Sequence, residues 1–150
     1  MPLPPYIAAK RGEDERDRSD YQTVYAREAG SIAAPTAGLH FTPELMARLR
    51  ARGVATVAVT LHVGPGTFKP VVVERIEEHQ MGEEWFEVSA QTADVIRTAK
   101  QSGGRVVAVG TTVVRALESA ARLSGELQST AGESRLFISP GFHFNVVDAL

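Results

Sequence analysis

Three short segments of this sequence carry residue types that could hold a polar ligand and transfer protons. The first is 62–68, in which His62 is followed closely by a Gly-Pro-Gly sequence. Glycine lets the backbone approach a ligand, and histidine titrates near neutral pH, so the segment could place a ligand beside a proton donor or acceptor. A plain turn with a surface histidine is the alternative.

The second segment is Gly110-Thr111-Thr112, which lies between an apolar run and an amphipathic one. The free N–H groups of a helix start favour an anion, and the two hydroxyls and the nearby Arg115 add donors. The alternative is simple capping by a threonine, with an exposed Arg115–Glu118 pair.

The third segment is 33–41, where small residues, Pro35 and Gly38 precede His40. This composition is typical of a tight loop around a ligand. A connector whose histidine bonds a carbonyl is the alternative.

Acid–base candidates also lie outside these segments. His79 can titrate near neutrality, and Glu83 and Glu84 are candidates if they are buried near Trp85. The histidine spacing matches no metal-ligand motif and the sequence has no cysteine, so we expect no metal site.

A patch of aromatic residues and arginines could contact RNA. Arg16, Arg18, Tyr21, Tyr25 and Arg27 combine rings that stack on bases with guanidinium groups that bind phosphate. The net charge of −2 favours no general coating of nucleic acid, so any RNA contact has to be local.

The elements that must position these residues alternate between helices and strands. We expect helices over 42–53, 89–102 and from Thr111 or Thr112 to 121, strands over 30–34, 54–63, 85–88, 105–109 and 136–138, and a polar loop over 124–133. The alternation predicts an α/β fold whose sheet is mostly parallel, either open or barrel-like. Ligands of such folds bind at the carboxyl ends of strands, where all three segments would lie.

Composition divides the chain into a connector and one domain. Residues 1–19 are rich in proline and in charges of alternating sign, which predicts a solvated connector, and residues 20–150 predict a partial α/β catalytic domain. The 150 residues contain no cysteine and no apolar run long enough to span a bilayer, so we expect a cytoplasmic protein without disulfides.

Five runs resemble one enzyme family, in the same order and along nearly the whole chain. They are LPPYI (3–7), DYQTVYA (20–26), AAPTAGLHFT (33–42), TLHVGPGTFKPV (60–71) and AVGTTVVR (108–115). The family is that of the S-adenosylmethionine:tRNA ribosyltransferase-isomerases of queuosine biosynthesis. Two runs of ten or more residues make the match far more specific than a single glycine motif.

The resemblance implies that S-adenosylmethionine is consumed as a substrate. Its ribosyl part is transferred to the aminomethyl group of a 7-deazaguanine in tRNA and isomerised, giving epoxyqueuosine-tRNA and releasing adenine and methionine. This reaction needs a base for the carbon beside the sulfonium, an acid for adenine and an uncharged acceptor amine. The resemblance implies tRNA as the partner, no metal, no membrane, and a monomer for the full-length family.

Carried over from the family, the three segments would line the active site. His40, His62 and Glu84 are the expected catalytic residues. Thr111, Thr112 and Arg115 would hold an anionic group, either the methionine carboxylate or a tRNA phosphate. The other expected substrate-binding residues are Pro35, Thr36, Gly38, Gly64, Gly66, Thr67, Phe68, His79 and Met81.

The sequence departs from the family in two respects. Members carry a His-x-Met-His-x-Glu pattern, whereas residues 79–84 read HQMGEE, so Gly82 replaces the second histidine. Members also have a β-rich region before the first run and further segments after residue 150. We therefore expect a part of the protein with missing elements at both ends, exposed sheet edges and a tendency to associate.

Two other functions compete with the enzyme. One is a catalytically inactive part that only binds RNA or ligand. The other is an unrelated sugar-phosphate enzyme of barrel type, which we reject because it would make the five runs a coincidence.

Overall fold

A computed structural model describes residues 7, 9–12, 14–31, 33–64, 73–79 and 81–150. The first half contains helix α1 (Asp17–Asp20), a 3-10 helix (Thr36–His40), helix α2 (Pro43–Ala51), strand β1 (Thr60–His62) and a second 3-10 helix (Ile76–Glu78). The second half contains strand β2 (Glu84–Val88), helix α3 (Ala90–Gln101), helix α4 (Thr111–Ser124) and strand β3 (Thr130–Ser134). The mixed α/β class is therefore confirmed.

Helices α2 and α3 begin where the capping signals predict. The Thr42 hydroxyl accepts a hydrogen bond from the Leu45 N–H at 3.2 Å, and Ser89 accepts one from the Thr92 N–H at 3.2 Å. These bonds satisfy backbone donors that have no partner inside a first helical turn. The predicted helices over 42–53 and 89–102 are confirmed.

The start of helix α4 differs from the expectation. Its N-cap is Gly110, not Thr111 or Thr112, and Gly110 has a φ of 104°. Glycine adopts positive φ without the steric penalty that a Cβ brings. The expectation that a threonine caps this helix is therefore wrong, and both threonines lie inside the first turn.

The sheet corrects the predicted topology. Its order is β1-β2-β3 and both pairs are antiparallel, with Leu61 opposite Phe86 and Phe86 opposite Gly132. The prediction of a mostly parallel sheet is wrong. The described strands form an open sheet, not a barrel. Apolar alternation predicts that a strand exists but carries no information on the direction of its neighbour.

Several predicted strand positions are also wrong. The predicted strand residues that lie outside the sheet are 54–59, 136–138 and the described residues of 30–34. Strand β3 forms instead at 130–134, which overlaps the end of the predicted polar loop. The sequence of β3, Thr-Ala-Gly-Glu-Ser, has little intrinsic preference for strands. It pairs with all five residues of β2, so tertiary pairing outweighs propensity here.

The main core lies between the sheet and helix α4. Phe86 and Val88 point from β2 into this core, where they meet Leu117 and Ala120 of α4, and all four are at most 3% exposed. The alternation along β2 therefore places Trp85 and Glu87 on the opposite face of the sheet.

The predicted strand over 105–109 is represented by a single parallel bridge between Val107 and Ala149. The Ala108 N–H donates to the Ala149 carbonyl at 2.9 Å, and the Asp148 N–H donates to the Val106 carbonyl at 2.9 Å. Val107 and Leu150 beside this bridge are 59% and 71% exposed. No described helix is long and apolar enough to cross a membrane.

Candidate active site

Gly30 and Ser31, just before the 33–41 segment, lie against the end of strand β1. A Cβ placed on Gly30, which has a φ of 132°, would lie 2.8 Å from Cε1 of His62. The neighbouring Ser31 hydroxyl accepts a hydrogen bond from the Val63 N–H at 3.1 Å and donates one to the Ala33 carbonyl at 2.8 Å. Glycine at 30 therefore allows the His62 ring to pack directly on the backbone.

The 33–41 segment reaches the start of helix α4. The first turn of the 3-10 helix Thr36–His40 is formed by the Gly38 N–H, which donates to the Pro35 carbonyl at 2.8 Å. A Cβ placed on Gly110 would lie 3.7 Å from Cβ of Ala37. Ala37 of the third candidate segment thus lies beside Gly110 of the second, and Gly30 and Ser31, just before the third segment, contact the described start of the first.

His62 is the better fixed of the two candidate histidines in this cluster. It is half-buried, pairs with Trp85 across β1 and β2, and its ring centroid lies 4.9 Å from that of Trp85. His40 ends the 3-10 helix and is exposed. One imidazole is therefore held between Gly30 and Trp85, while the other faces solvent at the loop tip.

Thr111 and Thr112 stand at the positive end of α4. Thr111 is exposed and Thr112 half-buried, and the Val113 N–H donates to the Gly110 carbonyl at 3.1 Å. The helix dipole and the two hydroxyls favour a negative group beside Gly110.

Glu84 and Arg115 form a buried ion pair. Their side chains are 8% and 9% exposed, and Nη1 of Arg115 lies 2.5 Å from a carboxylate oxygen of Glu84. Arg115 also donates to the carbonyls of Leu136 at 2.8 Å and of Gly82 and Ser134 at 3.3 Å. The guanidinium of Arg115 therefore links α4 to β2 and β3 through hydrogen bonds to Glu84 and Ser134.

The exposed Arg115–Glu118 pair, the alternative for this helix, is not formed. Glu118 is fully buried, and its carboxylate accepts hydrogen bonds from the N–H groups of Asn145, Val146 and Val147, each at 2.9 Å. Sequence reasoning missed Glu118 as a structural residue. Its position in the apolar stripe of α4, four residues after Val114, is the signal that could have found it.

The other expected substrate-binding residues are distributed more widely. His79 packs on Phe137 with ring centroids 5.2 Å apart, and Met81 is half-buried. Gly64 lies two residues after His62 and is half-buried, whereas Gly66, Thr67 and Phe68 lie outside the described residues. Among the described residues, no group of three His, Cys, Asp or Glu side chains could hold a metal ion.

The aromatic and arginine patch is divided between the interior and the surface. Tyr21 is 8% exposed and packs with Ala34 and Leu39, so its ring belongs to a small core behind the 33–41 segment. Tyr25 is half-buried, and burial raises the pKa of its hydroxyl. Arg16 and Arg27 are exposed, and Arg18 lies on α1.

The fold and the loop cluster define a mixed α/β domain whose candidate site is built from segments that flank a small antiparallel sheet. The family model described as "Queuosine biosynthesis protein" matches the chain over residues 1–150. The chain therefore belongs to the queuosine biosynthesis protein family.

Curated relatives and a solved structure agree with this assignment. The chain is 62% identical over its full length to an S-adenosylmethionine:tRNA ribosyltransferase-isomerase of Phenylobacterium zucineum and 57% identical to that of Sphingopyxis alaskensis. It spans 42% and 43% of their lengths. The crystal structure of an S-adenosylmethionine tRNA ribosyltransferase from Thermotoga maritima is 42% identical, with a TM-score of 0.57 over 75% of this chain and 34% of that one.

Proposed function

We propose that this chain carries part of the active site of an enzyme that transfers and isomerises the ribosyl part of S-adenosylmethionine onto the aminomethyl-deazaguanine of tRNA, giving epoxyqueuosine-tRNA. Family membership and the names of the relatives support the reaction. The structural observation that carries the proposal is the pair of close contacts that place Gly30 beside His62 and Ala37 of the 33–41 segment beside Gly110. S-adenosylmethionine would act as a consumed substrate, and the reaction would use no metal.

His62 and His40 are the proposed proton-transfer residues. The sulfonium acidifies the neighbouring carbon, and a neutral imidazole can remove a proton from it near neutral pH. His62 suits this role because Gly30 and Trp85 fix its ring. The exposed His40 could then protonate the departing adenine from the other end of the loop.

The start of α4 is the proposed anion site. Thr111 and Thr112 would bind either the methionine carboxylate or a tRNA phosphate, since both are anions that suit the positive end of a helix. Arg115 and Glu84 would support this site through their buried pair, which fixes α4 against β2. Pro35, Thr36, Gly38, Gly64, Gly66, Thr67, Phe68, His79 and Met81 complete the proposed substrate-binding set.

Contact with tRNA would rely on arginines more than on stacked rings. Arg16 and Arg27 are exposed and can bind phosphate, and Arg18 would join them from α1. Tyr21 packs inward against Ala34 and would support this surface from below. We further propose a cytoplasmic location, a monomer for the full-length family, and association of this chain through exposed apolar residues such as Val107.

Release of adenine tests the reaction. The purified chain is incubated with S-adenosylmethionine and precursor tRNA, and adenine is quantified by chromatography, with tRNA lacking the deazaguanine as the control. Adenine formed only with the precursor tRNA supports the proposal. Measurable binding of S-adenosylmethionine without adenine release would favour the alternative, a part that binds but does not catalyse.

Substitution of His62 tests its role in the reaction. We expect His62→Ala to lower the single-turnover transfer rate by about 10²–10⁴-fold, the usual contribution of a general acid or base. His143→Ala is the matched control, because His143 is exposed and lies outside the three segments. An unchanged rate in His62→Ala would remove this residue from the mechanism.

A further inference from the structure

Tyr25 occupies the space that a side chain at position 38 would need. A Cβ placed on Gly38 would overlap the Tyr25 hydroxyl and lie 3.0 Å from Cζ of the same ring. It would also lie 2.8 Å from Cγ2 of Thr23. Gly38 is therefore the residue that lets the tyrosine hydroxyl pack onto the backbone of the 3-10 helix.

The packing around this contact includes alternate residues of the 21–25 segment. Thr23 is 6% exposed and Tyr21 is 8% exposed, and Tyr21 packs with Ala34 and Leu39 on either side of Gly38. The segment thus forms a support behind the 33–41 loop. Among Tyr21, Thr23 and Tyr25, the last is the most exposed, since it is only half-buried.

The position of this loop matters because it connects the other parts of the proposed site. It carries His40 at its end and places Ala37 beside Gly110. A five-residue 3-10 helix has weak hydrogen-bond geometry of its own, so its shape depends on what packs against it.

We infer that Tyr25 is a positioning residue of the proposed S-adenosylmethionine site, acting through its hydroxyl at Gly38 to fix the Thr36–His40 turn beside Gly110. The inference rests on the proposed function for the ligand and on the packing of Gly38 for the mechanism. The hydroxyl at this contact is neutral near pH 7 because its ordinary pKa is about 10, and burial raises the pKa of Tyr25 further.

Three variants of the full chain separate this role from a general effect on folding. Tyr25→Phe removes only the hydroxyl, Gly38→Ala introduces a Cβ where the hydroxyl lies, and the double variant introduces the Cβ while removing the overlapping oxygen. Gly132→Ala is the matched control, because nothing lies within 4 Å of a Cβ placed there and its φ is ordinary. Amide hydrogen exchange at Gly38 and Phe41 reports the turn, and calorimetric titration reports binding of S-adenosylmethionine.

We expect Tyr25→Phe to accelerate exchange at both amides and to raise the Kd about 3- to 10-fold, a loss of the size that one packed polar group provides. Gly38→Ala should raise the Kd at least ~30-fold, and the double variant should recover part of that loss. Such recovery would indicate a specific contact between the two residues. If the substitutions only destabilised the fold, the double variant would have the highest Kd of the three.

The outcomes separate the inference from the function on which it rests. Unchanged exchange in Tyr25→Phe, or a double variant worse than Gly38→Ala, would overturn the role of Tyr25. A wild-type chain that binds no S-adenosylmethionine would count against the proposed function. In that case the exchange rates at Gly38 and Phe41 still decide whether Tyr25 fixes the turn.

Discussion

Charged residues behave differently around helix α4 and around residues 11–17. In the first region Glu84, Arg115 and Glu118 are buried, and their partners are 19 to 33 residues away in sequence. In the second, Arg11 pairs with Asp17 and Arg16 with Asp14, only 6 and 2 residues away, and both arginines are exposed. Around α4 the buried charges join distant parts of the chain, whereas between Arg11 and Asp17 the exposed charges shape a single turn.

Replacement of Glu118 should have the largest effect on stability. Glu118→Ala removes the acceptor of three buried or part-buried N–H groups, so we expect the free energy of unfolding to fall by about 3–5 kcal/mol. Urea denaturation measures the change. Glu87→Ala, at an exposed position of β2, is the control, and a similar small change in both variants would contradict the prediction.

The Arg115–Glu84 pair should show a smaller but non-additive effect. Arg115→Met leaves a buried carboxylate without this partner, and we expect a loss of about 3 kcal/mol. Replacing both residues by methionine removes both charges and should recover at least half of the loss. A double-mutant cycle by urea denaturation tests this, and additive losses would show that the two side chains do not depend on each other.

Asp148 provides an intermediate case, because its side chain is 33% exposed. A hydrogen bond from the Val106 N–H at 2.7 Å, followed by Lys100, lowers the pKa of this carboxyl. Asp148→Asn should therefore cost about 1 kcal/mol near neutral pH. Since the folded pKa lies below the unfolded one of about 3.9, the contribution is present above that pH and is lost on acidification.

A stability loss at Asp148 that is the same at pH 7 and at pH 2 would contradict this assignment. Asp94→Asn is the control, since Asp94 is exposed and pairs only locally with Arg97.

Arg11→Ala should have the smallest effect. The Arg11 side chain lowers the pKa of Asp17 to about 2, and the Asp14 N–H contributes a further hydrogen bond. We expect the variant to shift the Asp17 titration, followed by carboxyl NMR, back towards higher pH with no measurable change in the urea midpoint. A large change in that midpoint would mean that the exposed Arg11–Asp17 pair stabilises more of the fold than its own turn.

The sequence predicted local features better than long-range ones. Thr42 and Ser89 mark helix starts because their hydroxyls act on the next turn, so the neighbouring residues contain all the information that is needed. The antiparallel sheet depends on which strands meet, and β3 gains its structure from β2, not from its own residues.

The candidate site shows the same division. The segments around His40, His62 and Gly110 could be selected from glycine, histidine and threonine alone, but not the contacts that join them. The sequence identifies Gly38 as a loop glycine. It does not show that glycine is needed there because the hydroxyl of Tyr25, 13 residues earlier, packs on its backbone, since only the fold defines that contact. The burial of Arg115 and Glu118 is likewise a tertiary property that charge alone does not indicate.

The carboxylate of Glu118 also constrains the order of folding. Helix α4 can form from contacts within 14 residues, whereas the 145–147 backbone finds its acceptor only once that helix has placed Glu118. We therefore expect residues 145–147 to dock late in folding, with the Val107–Ala149 bridge closing after them. Mutations at Glu118 should accordingly speed unfolding more than they slow folding.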